Sequence, residues 1–571
     1  MKTHTPLQRF ALLLKPDKKE IRNVYIYSVF SGILIMSLPL GIQAIINIIQ
    51  GGKINASWVI LVIFVVIGVF LTGLFQIFQL RITENLQQKI FARAAFEFTY
   101  RLPKIKMEEL YKHYAPELMN RFFDVVSVQK GLAKVLIDFT TALLHVLFGL
   151  ILLSLYHPFF IAFSIILVIM AFAIFRFTVK RGLATSLEES EDKYRVANWL
   201  EELARTSTVF KLAGKTTLPL EKTDVLVESY VNSRENHFKV LLNQYSLLVV
   251  FKVLVAAGLL VIGSVLVMEQ FMNIGQFVAA EIIILLIISA VEKLVMSLDT
   301  IYDILTSLEK IGQVTDLELE PTEGVDFRNG ESNLGLNVRL QNVTFDYPDK
   351  NDHLLNNLNL SIKAGEKWFI TGANESGKST LLYLLAGLYE PLEGAVIYDD
   401  LPMGNIRPES LRSTIGDCLT HEKVFDGTIL ENITMGRKAA TFENVRWAVK
   451  NLGLQRFIET QPNGYNTELG TNNRLSSGIR AKLLLARSIV DKPRLLLLED
   501  AFDHINEIER NQIIEFLTGK ENNWTMVAIS NSQYLANKCD RLAWIENGRI
   551  ESSDSYEGMS RLNKSKGNNH A

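Results

Sequence analysis

A chain of 571 residues with a formal net charge of −2 and two cysteines already narrows the possible classes. The near-neutral balance, with no basic run, speaks against a nucleic-acid partner. Cys418 and Cys539 are too few for a disulfide framework or a metal site. Mean hydropathy is positive, +0.17, although the second half reads as soluble, so the apolar content is concentrated toward the N-terminus.

In chain order, six stretches near 24–49, 58–80, 135–156, 158–179, 242–268 and 275–297 are long enough to cross a bilayer core as helix, which takes about 20 residues. The first is too long for a cleavable signal peptide, and no small-residue cleavage site follows it. Lysines and arginines crowd the N-terminus and the segments 81–134 and 180–241, whereas the three short connections hold one, Lys53. The positive-inside rule therefore puts the N-terminus, both long segments and the C-terminal half in the cytoplasm. These segments favour helix and contain few glycines or prolines, so the spanning helices should continue below the membrane. They should turn near 112–117 and 211–216. About twenty residues precede Val24, far short of a domain, so the sequence predicts no leader-cleaving peptidase. The boundaries expected are a membrane domain over 1–310, an acidic, weakly periodic linker over 311–335, a soluble domain over 336–560 and a polar tail over 561–571.

The soluble half carries Gly372-Ala373-Asn374-Glu375-Ser376-Gly377-Lys378-Ser379-Thr380, which fits the phosphate-binding pattern G-x-x-x-x-G-K-[ST]. The apolar-ended run Lys367–Ile370 precedes it and Leu381–Leu385 follows, giving the strand–loop–helix context the motif requires. Glycines let several N–H groups converge on one anion, and the helix N-terminus adds partial positive charge. Lys378 can reach the terminal phosphates and the Ser379 hydroxyl a Mg²⁺ ion.

Further landmarks follow in order: Val343–Pro348 with Tyr347, Gly427–Ile433, Leu475-Ser476-Ser477-Gly478-Ile479 with the helix after it, Leu495–Asp500, and Arg541–Ile550. With six spans ahead of them, they resemble an ABC exporter half-transporter of the type IV architecture, closest to the exporters of type I secretion. The resemblance covers nearly the whole chain. It implies an all-α six-helix transmembrane domain followed by an α/β P-loop nucleotide-binding domain, with ATP and Mg²⁺ as cofactors. In that family Tyr347 would stack on adenine, and residues 372 and 374–380 would hold the phosphates. Ser476, Ser477 and Gly478 would face the ATP of a second copy. Ser379, Thr420 and Glu499 would meet the metal, and Asp500, Glu499 and Asn531 would serve hydrolysis.

The chain departs from the family at these sites. Thr420 replaces the usual Gln, Glu499-Asp500 reverses Asp-Glu, Ser477 and Ile479 alter the signature, Asn531 replaces the switch His, and Glu375 takes a place usually held by Gly. Asp503-His504-Ile505-Asn506 stands for Ser-Ala-Leu-Asp, and the segment 470–474 looks shortened. Phosphate affinity should survive these changes. Hydrolysis is more exposed to them, since Asp500 has the shorter arm and a misplacement of about 1 Å can cost roughly a hundredfold. Three readings stay open: a homodimeric exporter with a variant working site (favoured), the degenerate half of a heterodimer, or an ATP-binding regulatory membrane subunit without turnover. The resemblance implies export from the cytoplasm across the inner (plasma) membrane. The cargo would be a peptide or protein, with a periplasmic adaptor and an outer-membrane channel as partners; lipid or drug export is the alternative. Ionisable residues within spans are functional candidates: Asp138, His145, Arg176, Lys252, Glu281, Glu292 and Lys293. Of these, Arg176, Glu292 and Lys293 are expected to snorkel or pair near the cytoplasmic end. Lys252 should either charge an inner cavity or pair with Asp138.

Overall fold

The computed structural model describes residues 5–51, 56–327, 334–348, 354–420, 423–470 and 475–553. Lys53, residues 328–333 of the expected linker, residues 471–474 ahead of the signature and the tail 561–571 lie outside these. The chain divides into two compact units, one of residues 1–103 and 113–317, the other of 104–112 and 318–571.

The first unit is helical. It runs through α1 (Pro6–Leu14), α2 (Lys18–Ile35), α3 (Ser37–Gln50) and α4 (Ala56–Arg101). After α5 (Met107–Tyr111), which belongs to the second unit, come α6 (Ala115–Asn120), α7 (Asp124–Lys134), α8 (Thr140–Ser154), α9 (Pro158–Arg205), α10 (Ser207–Leu212), α11 (Leu218–Met268) and α12 (Ile274–Thr315). Among the described residues, six helical segments are long and apolar enough to cross a membrane. Helix α9, at 48 residues, extends roughly 70 Å at 1.5 Å per residue, far beyond a bilayer core. The expected continuation of the spanning helices is therefore present.

Starts and stops follow the sequence. Asn273 and Gln276 form a capping box at α12, and His157 with Pro158 opens α9. The first expected span is not one helix, because it breaks at Met36, three residues before Pro39. The turn expected over 112–117 is shorter than that. Residues 112–114 make it, and Ala115-Pro116 already starts α6, since Pro is favoured in a first helical turn. Likewise Lys211 and Leu212 end α10, and the turn begins at Ala213.

Burial in this unit suits lipid. Ile60, Phe64, Phe70 and Phe172 point outward, while Phe160, Phe163, Leu248, Phe251, Ile283 and Ile287 pack inward among α9, α11 and α12. Polar links tie helices at depth: Gln79 donates to Ser28 at 3.0 Å and Gln244 to the Tyr302 hydroxyl at 2.8 Å. Lys252 pairs with Glu292 at 2.7 Å, joining α11 to α12; its partner is thus Glu292 and not Asp138.

In the second unit, β1 (Val338–Phe345), β2 (Leu355–Ile362), β4 (Glu393–Tyr398) and β5 (Leu401–Pro402) form an antiparallel sheet in the order β2-β1-β4-β5. The larger sheet is built from β3 (Lys367–Gly372), β6 (Ile415–Cys418), β9 (Leu495–Glu499), β10 (Thr525–Ile529), β11 (Arg541–Glu546) and β12 (Arg549–Ser553), and short β7 (Gly427–Thr428) and β8 (Glu468–Leu469) pair separately. The order of the larger sheet is β12-β11-β3-β10-β9-β6, parallel except for the edge strand β12. Leu495–Leu498 and Thr525–Ala528 are buried on both faces, as continuous apolar runs in a covered parallel sheet must be.

Candidate functional site

Parallel strands end on one edge, and in open α/β sheets that carboxyl edge is where ligands bind. Here it gathers the loops after β3, β6, β9, β10 and β11. Register fixes the alignment: Ile529 lies opposite both Ile370 and Glu499, Cys418 opposite Leu498, and Ile545 opposite Gly372. The loop 372–378, Thr420, Glu499-Asp500, Asn531 and Glu546–Gly548 therefore share a single rim.

The loop after β3 runs into α13 (Lys378–Leu385). A Cβ at Gly372 would lie 2.1 Å from the Ile545 carbonyl, and Gly377 has φ +96°, so glycine is required at both ends of the turn. Asn374, Glu375, Ser376, Gly377, Lys378, Ser379 and Thr380 line a cleft of about 820 Å³, together with Tyr347, Asp346, Asn356 and residues 546–548. The Lys378 ammonium folds back to donate to the carbonyls of Gly372 at 3.0 Å and Ala373 at 2.5 Å. Burial lowers its pKa, against the opposing attraction of Asp500 and Glu499. The Ser376 hydroxyl is buried and has no hydrogen-bond partner among the described residues, which an anion in the loop would supply.

Tyr347 projects from the turn after β1. Its hydroxyl and that of Thr380 are 3.0 Å apart, tying it to α13. Buried Phe345 and Tyr389 meet its ring edge-to-face at 5.3 and 5.5 Å.

Glu499 ends β9 and is buried; its Oε2 accepts from the Thr420 N–H at 3.1 Å, which brings two of the expected metal-side residues together. Asp500 follows with φ +45°, a left-handed conformation that Asp tolerates, and its N–H donates to the Ile529 carbonyl at 2.9 Å. Its pKa is raised, first by burial and then by Asp503 and Glu499, with Lys378 opposing. Thr420, Glu499 and Asp500 share a second cavity, of about 340 Å³, with Ser477, Arg480, Asp503 and His504. Asn531 lies exposed just past β10 and lines neither cavity.

The signature residues sit apart from the phosphate loop. The Ser476 hydroxyl accepts from the Ile479 N–H at 3.4 Å and so caps the helix Ser477–Ile489, while Gly478 lies against the His504 carbonyl. None of the three lines the phosphate-loop cleft. Sequence reasoning did not single out Asn356 or Tyr111 as part of that cleft. No local pattern marks either one, since each is brought there by a non-local approach.

A parallel sheet bearing a P-loop at its carboxyl edge, joined to six membrane-length helices, defines a membrane protein with a nucleotide-binding domain. Residues 22–291 match the family described as ABC transporter transmembrane region, and residues 355–503 match the family described as ABC transporter. The chain belongs to the ABC transporters, as an exporter-fold half-transporter.

Among its relatives is the alpha-hemolysin translocation ATP-binding protein HlyB of Escherichia coli O157:H7, 28% identical over 298 residues, 52% of this chain and 42% of that one. The uncharacterized ABC transporter ATP-binding protein YfiB of Bacillus subtilis (strain 168) is 32% identical over 245 residues, 42% of each chain. The beta-(1→2)glucan export ATP-binding/permease protein NdvA of Agrobacterium vitis is 26% identical over 303 residues, 53% of this chain and 52% of that one. Each match thus spans about half of the relative's length. The structure of a bacterial Atm1-family ABC exporter with ATP bound superposes with a TM-score of 0.82 at 19% identity, covering 95% of this chain and 97% of that one, which establishes the shared fold.

Proposed function

We propose that this chain is one half of a dimeric, ATP-driven exporter, with its membrane domain near 1–310 and its nucleotide domain near 336–560. The observation that carries the reading is the shared strand edge: Lys378 on one loop and Glu499-Asp500 two strands away act on each other electrostatically across it.

ATP would lie on residues 372–380, its phosphates held by loop N–H groups and by Lys378 swung off its two carbonyls, its base on Tyr347. The donors present also suit a hard divalent cation. Glu499 spends one oxygen on the Thr420 N–H and keeps the other, and Ser379 opens α13 at the cleft. Ser379, Glu499 and Thr420 would hold Mg²⁺ directly or through water, supplying charge neutralisation across the phosphates. The Asp500 carboxylate would orient the attacking water and accept its proton. Asn531 would donate through its amide to the terminal phosphate. Ser476, Ser477 and Gly478 of a second copy would close over the nucleotide, and hydrolysis would reopen it.

Membership in an exporter fold, the charge asymmetry of the loops and likeness to a translocator of hemolysin favour outward movement of a peptide or protein across the inner membrane, with an adaptor and an outer channel as partners. A glucan exporter among the relatives keeps other cargo classes in play.

ATP turnover by the purified full chain in lipid, beside Lys378→Ala and Asp500→Asn, tests the reading. Both variants should lose turnover, and Asp500→Asn should keep ATP binding. Because burial, with Asp503 and Glu499, raises the Asp500 pKa, the acid limb of wild-type turnover should lie above the pKa of an ordinary aspartate, with activity rising as the group ionises. Binding without turnover in the wild-type chain would overturn the homodimeric pump and point to a catalytic partner chain or a regulatory role.

A further inference from the structure

Residues 104–112 precede α6 in sequence yet fold as part of the nucleotide-binding unit. Backbone pairing holds them there. Lys106 N–H donates to the Glu318 carbonyl at 2.9 Å, Glu320 N–H to the Lys104 carbonyl at 2.8 Å, and Ile105 forms an antiparallel bridge with Leu319. Ion pairs Lys106–Glu318 at 2.5 Å and Lys104–Glu409 at 2.7 Å reinforce them, and the Glu390 N–H donates to Glu108 at 3.2 Å. The segment ends in α5, whose last residue is Tyr111.

The Tyr111 ring lies face to face on Tyr347, with centroids 4.8 Å apart and planes 15° apart, and it lines the same cleft as the phosphate loop. Phe345 and Tyr389 occupy the core side of Tyr347, so Tyr111 covers its accessible face. A purine inserted between the two rings would need them about 7 Å apart, two van der Waals gaps. At 4.8 Å it does not fit. Tyr111 is itself 44% exposed and makes no other ring contact among the described residues.

We infer that Tyr111 is a built-in competitor for the purine platform: its phenol ring takes the place of the base on Tyr347, and a purine nucleotide binds by displacing it. The inference rests on the reading that this cleft takes ATP through Tyr347. It adds a consequence, because the displaced ring is the last residue of α5, and the chain passes from there through Lys112 into the first unit. Base binding, and not phosphate binding alone, would then be what frees the Tyr111 end of α5.

The test is equilibrium titration of the full-length chain in lipid nanodiscs with ATP and, separately, with inorganic tripolyphosphate, which engages the P-loop but has no base. Removing the competing ring in Tyr111→Ala should tighten ATP binding about three- to ten-fold, the worth of one aromatic stack, and leave tripolyphosphate unchanged. Tyr111→Phe keeps the ring and should match the wild type, while Tyr347→Ala should weaken ATP alone. Weaker ATP binding in Tyr111→Ala would overturn the inference by making Tyr111 a second wall of the base site. Unchanged binding would overturn it by making the stack incidental. A Tyr111→Ala protein that fails to fold is recognised by lost tripolyphosphate binding, and Tyr111→Leu, which removes the aromatic face but keeps bulk, then decides between the same outcomes. Failure of the wild-type chain to bind either probe would instead count against the cleft being a nucleotide site.

Discussion

Glu375 is a single residue whose backbone and side chain both oppose the job of its loop. Its φ is +63°, in the left-handed region where a side chain costs about 1 kcal/mol. Its carboxylate is exposed at the cleft, where phosphates would arrive, so it adds repulsion to strain. Glu375→Gly should therefore raise the stability of the folded chain by about 1 kcal/mol, because the strain is relieved whether or not the loop holds a ligand, and should tighten ATP binding by removing the repulsion, a gain that shrinks as salt is added. Thermal unfolding checks the first part and titration at low and high ionic strength the second. Weaker binding in the variant would mean that the carboxylate contributes to the site. The loop itself is legible in the sequence, because glycine spacing, the apolar strand before it and the helix after it are local signals. The strain at Glu375 is not, since only the observed φ shows that this residue took the glycine conformation. The same limit applies to Tyr111, whose stack on Tyr347 joins positions 236 apart in sequence with no motif at either end.

At the scale of elements, the six spans are legible from length and composition, and their internal breaks are only partly so. The kink at Met36 follows from Pro39, but an apolar run reads as continuous when only hydropathy is counted. The pairing of span charges is less legible still, because a helical face offers a lysine several carboxylates. Lys252 takes Glu292 on α12, and the side chains stay 29% and 37% exposed. Removing one partner leaves the other charge in a poorly solvated place, at a cost of about 2 kcal/mol, between the values for exposed and buried pairs. Lys252→Met and Glu292→Gln should each lower the apparent melting temperature in detergent, and the swap Lys252→Glu with Glu292→Lys should restore most of it. A swap as unstable as the single variants would show that each charge answers to its own surroundings and not to the other.

The molecule as a whole is incomplete in one respect. Ser476–Gly478 do not line the phosphate-loop cleft of their own chain, and Ser476 is already engaged in capping its helix. A site that closes the signature over the nucleotide therefore needs a second chain, and two-fold pairing would make two such sites from two copies. Mixing supplies the test. Wild-type and Lys378→Ala copies, dissociated in detergent, mixed in equal amounts and reassembled in lipid, should give about one quarter doubly wild-type dimers. If both sites must close for either to turn over, activity should fall to about a quarter of the unmixed value, because coupling makes one dead site silence its neighbour. Independent sites would leave about half. Activity that follows the wild-type fraction linearly would therefore remove the concerted homodimer, whereas a quadratic fall would establish that the two sites of a dimer turn over only together.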